Sequence, residues 1–124
     1  GNPAPYLQYA VARIRSIQRK AAEQGVDATG AAPLVDADAE RALALQLLEF
    51  GPTLSQVGAA YEPHRLCGYL FGLAQAFTSF YEACPILKDA DESVRAGRLA
   101  LASLTEQVLV EGLDALGVSA PQQM

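Results

Sequence analysis

Residues 62–87 read EPHRLCGYLFGLAQAFTSFYEACPIL. Glu62 and Pro63 are helix-start residues, Pro85 stops what Cys84 ends, and Leu66, Tyr69, Leu70, Leu73, Phe77, Phe80 and Cys84 fall at helical spacing over well over half of the circumference between them. A helix apolar on so much of its surface has to be surrounded, so this segment predicts the central element of a helical bundle.

The flanks extend that reading. Leu7, Ala10, Ile14, Ile17 and Ala21 mark one face of a first helix from about Pro5 to Gln24, with Pro3 and Pro5 at its start and Gly25 as its stop. GVDATGAAPLV (25–35) has small residues and no periodicity, and is expected to be a mobile loop. A second helix, capped by Asp36 or Asp38, turns Leu43, Leu47 and Phe50 inward until Gly51-Pro52 breaks it. A short third carries Leu54, Val57 and Ala60 or Tyr61. The fifth starts after Asp91 or Ser93, runs to about Leu116 with Leu99, Leu101, Leu104, Val108, Leu109 and Leu113 apolar, and ends at Gly117. No alternating β-branched run competes, and no repeat recurs. The expectation is one all-α domain over 1–124, an up-and-down bundle of about five helices. Gly68 and Gly72 form a G-x-x-x-G, read here as close backbone approach of a neighbouring helix.

Composition narrows the function. Of the 124 residues 51% are hydrophobic, but no run reaches the roughly 18 apolar residues of a membrane span, so no membrane partner is expected. No secretory leader opens the chain, and Cys67 and Cys84 match no zinc, redox or disulfide spacing, which implies a reducing cytoplasm. His64 is the single histidine and suits a helix N-terminus better than a catalytic or metal site. The carboxylate groups at 36–40 and 89–92 lie at helix starts, where they complement the dipole. No phosphate-binding glycine loop occurs. No catalytic, metal or cofactor residue is therefore assigned.

A net charge of −5 argues against general nucleic-acid affinity, which comes from many cations. The charge is nevertheless segregated. Four of nine basic residues (Arg13, Arg15, Arg19, Lys20) lie in the first twenty positions, and no acid precedes Glu23. On the first helix Tyr6, Arg13 and Lys20, seven apart, form a stripe at the edge of the buried face, with Tyr9 about 60° further toward solvent at 100° per residue; Arg15 and Arg19 point away. Aromatic faces interleaved with cations suit a single-stranded RNA loop. Tyrosine at a helix edge is also ordinary amphipathic packing, and the same residues, with Tyr81, could instead anchor a partner protein on a helical interaction module that binds no RNA.

These residues carry a resemblance. Pro5, Tyr6, Gln8, Tyr9, Ala10 and Arg13 match a Pro-Tyr-x-Gln-Tyr-Ala-x-x-Arg pattern; Phe80, Tyr81 and Cys84 match a Phe-Tyr-x-x-Cys-like segment; Ala120, Pro121 and Met124 match an Ala-Pro-x-x-Met terminus. Together they resemble the C-terminal anticodon-binding domain, DALR type, of arginyl-tRNA synthetases, over nearly the whole chain. The resemblance implies that Tyr6, Tyr9 and Arg13 surround splayed anticodon bases, that Tyr81 contacts the loop, and that Met124 folds onto the same pocket. It implies an arginine-tRNA anticodon stem-loop as partner, read with preference for the cytosine at the middle position, and a monomer. Departures are Val11 where many members have histidine, Phe50-Gly51-Pro52 for Phe-Pro, and Gln122-Gln123-Met124 for Glu-Arg-Met. The HIGH- and KMSKS-like motifs are absent, so the chain reads as a domain excised from a longer ligase. The catalytic domain of the parent chain, with its ATP and magnesium, would be its other partner, and the chain by itself is expected not to activate arginine.

Overall fold

A computed structural model describes residues 4–60 and 62–117 as five helices. They are α1 (Ala4–Glu23), α2 (Asp38–Leu48), α3 (Phe50–Ala60), α4 (Pro63–Ala83) and α5 (Glu92–Ala115), with no strand among the described residues. The central position expected of α4 is observed: it packs on each of the other four helices, and α1 and α5 also pack on each other. Its Leu66, Leu70, Leu73, Ala74, Phe77 and Phe80 are buried, as are Leu7, Val11 and Ile14 of α1 and Leu101, Leu109 and Leu113 of α5. Each large side chain among them contributes about 1.5–3 kcal/mol relative to exposure. Tyr69 reaches from α4 to donate to the Gln46 carbonyl of α2 at 2.5 Å, and burial, with Glu49 nearby, pushes its hydroxyl pKa up to about 12.

The helix ends explain the boundaries. α1 closes in a Schellman arrangement: Gly25 has φ 73°, its N–H donates to Ala22, and Val26 N–H donates to Ala21 at 2.9 Å. Gly117, φ 78°, ends α5 in the same left-handed conformation. Asp91 caps α5, its carboxylate accepting the Ser93 hydroxyl at 2.7 Å and the Ser93 N–H at 2.9 Å; those hydrogen bonds hold its pKa below the usual carboxylate value.

Three expectations need correction. Neither Asp36 nor Asp38 caps α2. The N-cap is Ala37, and Glu40, one turn in, takes the Ala37 and Asp36 N–H groups on Oε1 at 2.7 and 3.0 Å, while the backbone carbonyl of Asp36 and the carboxylate of Asp38 hold Arg41. Gly51-Pro52 does not break α2; the break is one residue, Glu49, and Pro52 lies in the first turn of α3, where a missing N–H costs nothing. The Gly68/Gly72 pair receives no helix backbone. A Cβ at Gly68 would meet open space, and at Gly72 only the Gln46 side chain, at 3.2 Å. The glycines that do permit close approach are on α5. A Cβ at Gly112 would lie 2.5 Å from Leu70 Cδ2, and one at Gly97 2.9 Å from Leu34 Cβ. Within the 25–35 segment, Leu34 N–H donates to the Gly97 carbonyl at 3.1 Å.

The most buried ion pair among the described residues joins distant parts of the chain. Glu40 is 1% exposed, and its Oε2 accepts Arg98 Nε at 2.7 Å. Arg98 also donates to the Pro85 carbonyl at 2.8 Å and lies 3.7 Å from the Asp89 carboxylate. One guanidinium thus fastens α2, α5 and the α4–α5 connection.

Candidate nucleic-acid interface

A guanidinium or ammonium already held by protein oxygens has less to offer a ligand, so the cations sort themselves. Arg15 Nε donates to Glu106 Oε2 at 3.0 Å in the α1–α5 seam, beside Gln18 on Ser103 at 3.2 Å. Arg41 pairs with Asp38, Arg65 with Glu62, Arg98 with Glu40, and Arg95 donates to the Asp89 carbonyl at 2.6 Å. Arg13, Lys20 and Lys88 have no carboxylate partner among the described residues. All three lie along the α1–α4 face.

That face is built by the two helices in register. Tyr6, Tyr9, Arg13, Ser16 and Arg19 of α1 and Phe77 and Thr78 of α4 line a groove of about 500 Å³. Aromatic rings of α4 adjoin it. Tyr6 rests on Phe71 with ring centroids 5.0 Å apart, Phe77 stacks with Tyr81 at 6.2 Å, and the Arg13 guanidinium carbon stands 4.9 Å from the Tyr81 ring centroid, a cation–π geometry. Tyr9 is the most open of the rings, 68% exposed, whereas Tyr6 is 37% exposed and Tyr81 40%. A second hollow lies on the other side of Tyr81, lined by Lys20, Gln24, Tyr81, Glu82, Ile86 and Lys88 among others.

The expected residues are therefore brought together in two compartments rather than one. Tyr6, Tyr9 and Arg13 share the groove; Lys20 is in the neighbouring hollow; Tyr81 touches both, through Arg13 on one side and as a wall on the other. Arg15 turns away, as its spacing predicts. Arg19 does not, since it lines the groove with Ser16. A wheel drawn at 100° per residue places only the Cα–Cβ direction, and a long arginine reaches well beyond it. Met124 lies outside the described residues. Sequence reasoning missed Lys88, which no local pattern marks because its neighbours in space, Lys20 and Gln24, are more than sixty positions away in the chain.

The arrangement offers stacking faces and cations. His64 is exposed in the first turn of α4, Cys84 is buried with its thiol pKa pushed up by burial, and no three metal-ligating side chains cluster among the described residues. No described helix is long and apolar enough to cross a membrane.

The profile of the DALR anticodon binding domain family matches residues 7–124. The whole chain aligns with the arginine–tRNA ligase of Thermobifida fusca at 60% identity, covering 21% of that protein, and with that of Haemophilus influenzae strain PittEE at 50%, covering 22%. Among solved structures, Thermus thermophilus arginyl-tRNA synthetase superimposes on 97% of this chain with a TM-score of 0.82 at 38% identity, over 21% of its own length. The chain thus spans about a fifth of the length of the curated relatives it matches.

Proposed function

The chain belongs to the DALR anticodon-binding domain family of arginine–tRNA ligases, and from that premise we propose that its α1–α4 groove takes the anticodon loop of an arginine tRNA. The observation that carries the reading is the gathering of Arg13, Lys20 and Lys88, cations without carboxylate partners among the described residues, with exposed Tyr9 and Tyr81 on one face of a chain whose net charge is −5. Splayed bases stack on tyrosine, and hydrogen bonds to the Watson–Crick edge of the middle cytosine supply the choice among tRNAs. Tyr9, Tyr81 and Arg13 are the principal contacts, Tyr6 supports the groove from its seat on Phe71, and Lys20 meets the backbone. Recognition here is separate from chemistry, which belongs to a catalytic domain that uses ATP and magnesium; anticodon binding holds the acceptor end where that domain reacts. The setting is the cytoplasm.

The test is binding of an arginine-tRNA anticodon stem-loop to the 124-residue chain. Tyr9→Ala and Tyr81→Ala are expected to weaken it by about 1–3 kcal/mol each, and Arg15→Ala, committed to Glu106, by much less. Equal losses from Tyr9→Ala and Arg15→Ala would show that this face is not the reading surface. A salt titration separates the reading from a protein-docking module, because RNA affinity held by several cations falls steeply with ionic strength.

A further inference from the structure

The hollow beyond Tyr81 is not explained by base recognition. It holds no exposed ring besides the shared Tyr81, yet Lys20 from α1 and Lys88 from the α4–α5 connection both line it. We propose that this hollow is a backbone-phosphate subsite, in which Lys20 and Lys88 hold the RNA strand as it leaves the aromatic groove; the inference rests on the groove being the loop site.

Three observations support it. The first is continuity. Tyr9 and Lys20 are eleven residues apart on one helix, about 16 Å at ~1.5 Å per residue. At about 3.4 Å per stacked nucleotide that span accommodates several nucleotides, so a strand seated on Tyr9 and passing Arg13 and Tyr81 arrives at the hollow. The second is availability. The acids nearest Lys88 in sequence are engaged elsewhere: Asp89 stands by Arg98, and Asp91 caps α5. Glu82 is the one carboxylate lining the hollow. The third is rigidity. Ile86 is buried, the Pro85 carbonyl accepts from Arg98, and the Asp89 carbonyl accepts from Arg95, so the connection that presents Lys88 is fastened on both sides of it. An ammonium is a point charge with three rotatable donors, suited to a phosphate and carrying no base preference.

The experiment measures the affinity of the 124-residue chain for an arginine-tRNA anticodon stem-loop across a salt series, and for the same hairpin with its loop bases replaced by uridine. Each phosphate contact on a single strand contributes about 0.7 to the log–log salt slope. Lys88→Gln is therefore expected to lower the slope by about 0.7 and to weaken binding about fivefold at 0.1 M salt, by the same factor for both hairpins. Lys20→Gln should do the same, and Glu82→Gln, which removes the opposing charge, should tighten both hairpins. Tyr9→Ala in the same series tests the groove separately. Loss with Tyr9→Ala but wild-type affinity and slope with Lys88→Gln would overturn the phosphate subsite and leave the groove reading standing; the reverse would overturn the groove reading and with it the strand path from groove to hollow. No binding by the unmodified chain would overturn both, and a Lys88→Gln loss confined to the arginine hairpin would overturn the phosphate role in favour of a base contact. Lys88 is exposed, so unfolding is not expected, and an unchanged melting curve checks that.

Discussion

The α2–α5 seam and the α1–α4 face are made from the same kinds of residue and use them in opposite ways. In the seam Arg98, with a side chain 14% exposed, gives its donors to Glu40, itself 1% exposed, and to the Pro85 carbonyl. On the face Arg13 is exposed and lies over the Tyr81 ring, with no carboxylate partner among the described residues, and Lys20 and Lys88 flank it without acidic partners. A fully satisfied buried charge rigidifies a fold, while a charge left in water beside aromatic surface retains its interactions for a partner. The difference teaches that a chain of net charge −5 can still leave cations beside exposed rings on one face when other cations are paired with its own carboxylates.

The largest effect expected from breaking that division is in the seam. Glu40→Ala or Arg98→Ala strands a buried charge and should cost about 3–5 kcal/mol of unfolding free energy, measured by urea titration. Replacing both by apolar residues should cost far less than the sum of the singles. A single-site loss of under about 1 kcal/mol, the range of surface ion pairs, would mean that Arg98 and Glu40 are effectively solvated.

Packing contrasts can be tested next. Gly112→Ala places a methyl into Leu70, a side chain with no exposed surface, and should destabilise by about 1–3 kcal/mol. Gly68→Ala meets nothing and removes a helix-interior glycine, so it should stabilise by up to about 1 kcal/mol. Comparable losses at both positions would restore the close-approach reading of the G-x-x-x-G and contradict the packing described above.

Sequence made legible whatever depends on local periodicity. The five helices, the central place of α4, the stops at Gly25 and Gly117 and the Tyr6–Arg13 edge of α1 all follow from residues a few positions apart, and the Tyr9 and Tyr81 assignments come from family-like motifs that are equally local. What was not legible depends on pairing across the chain. Glu40 and Arg98 are fifty-eight positions apart, so the carboxylate cluster at 36–40 looks like simple capping until α5 is placed against α2. Lys88 is hidden in the same way, since its place in one hollow with Lys20 depends on where the α4–α5 connection passes α1. Gly68 and Gly72 misled because a glycine pair states only that a neighbour could approach, and α5 instead opens its own glycines to Leu70 and Leu34.

The smallest expected effect concerns the contact on which the face turns. Arg13 over Tyr81 is an exposed cation–π pair, and such pairs contribute about 0.5–1 kcal/mol. A double-mutant cycle on chain stability, with Arg13→Ala, Tyr81→Ala and the double variant, should give a coupling of that size, because either single change removes the contact and the second then removes nothing more of it. The same cycle run on stem-loop affinity distinguishes two uses of the pair. If the guanidinium stays on the ring and presents its remaining donors to RNA, the binding losses are less than additive, since Tyr81→Ala already misplaces Arg13. If Arg13 leaves the ring to meet the strand, each single variant is spared the cost of breaking the contact, and the loss in the double variant exceeds the sum of the single losses by about the coupling found in the free chain. No coupling in the free chain would mean that the ring does not hold Arg13 in solution, and the preorganisation that distinguishes this face from a merely solvated one would then be lost.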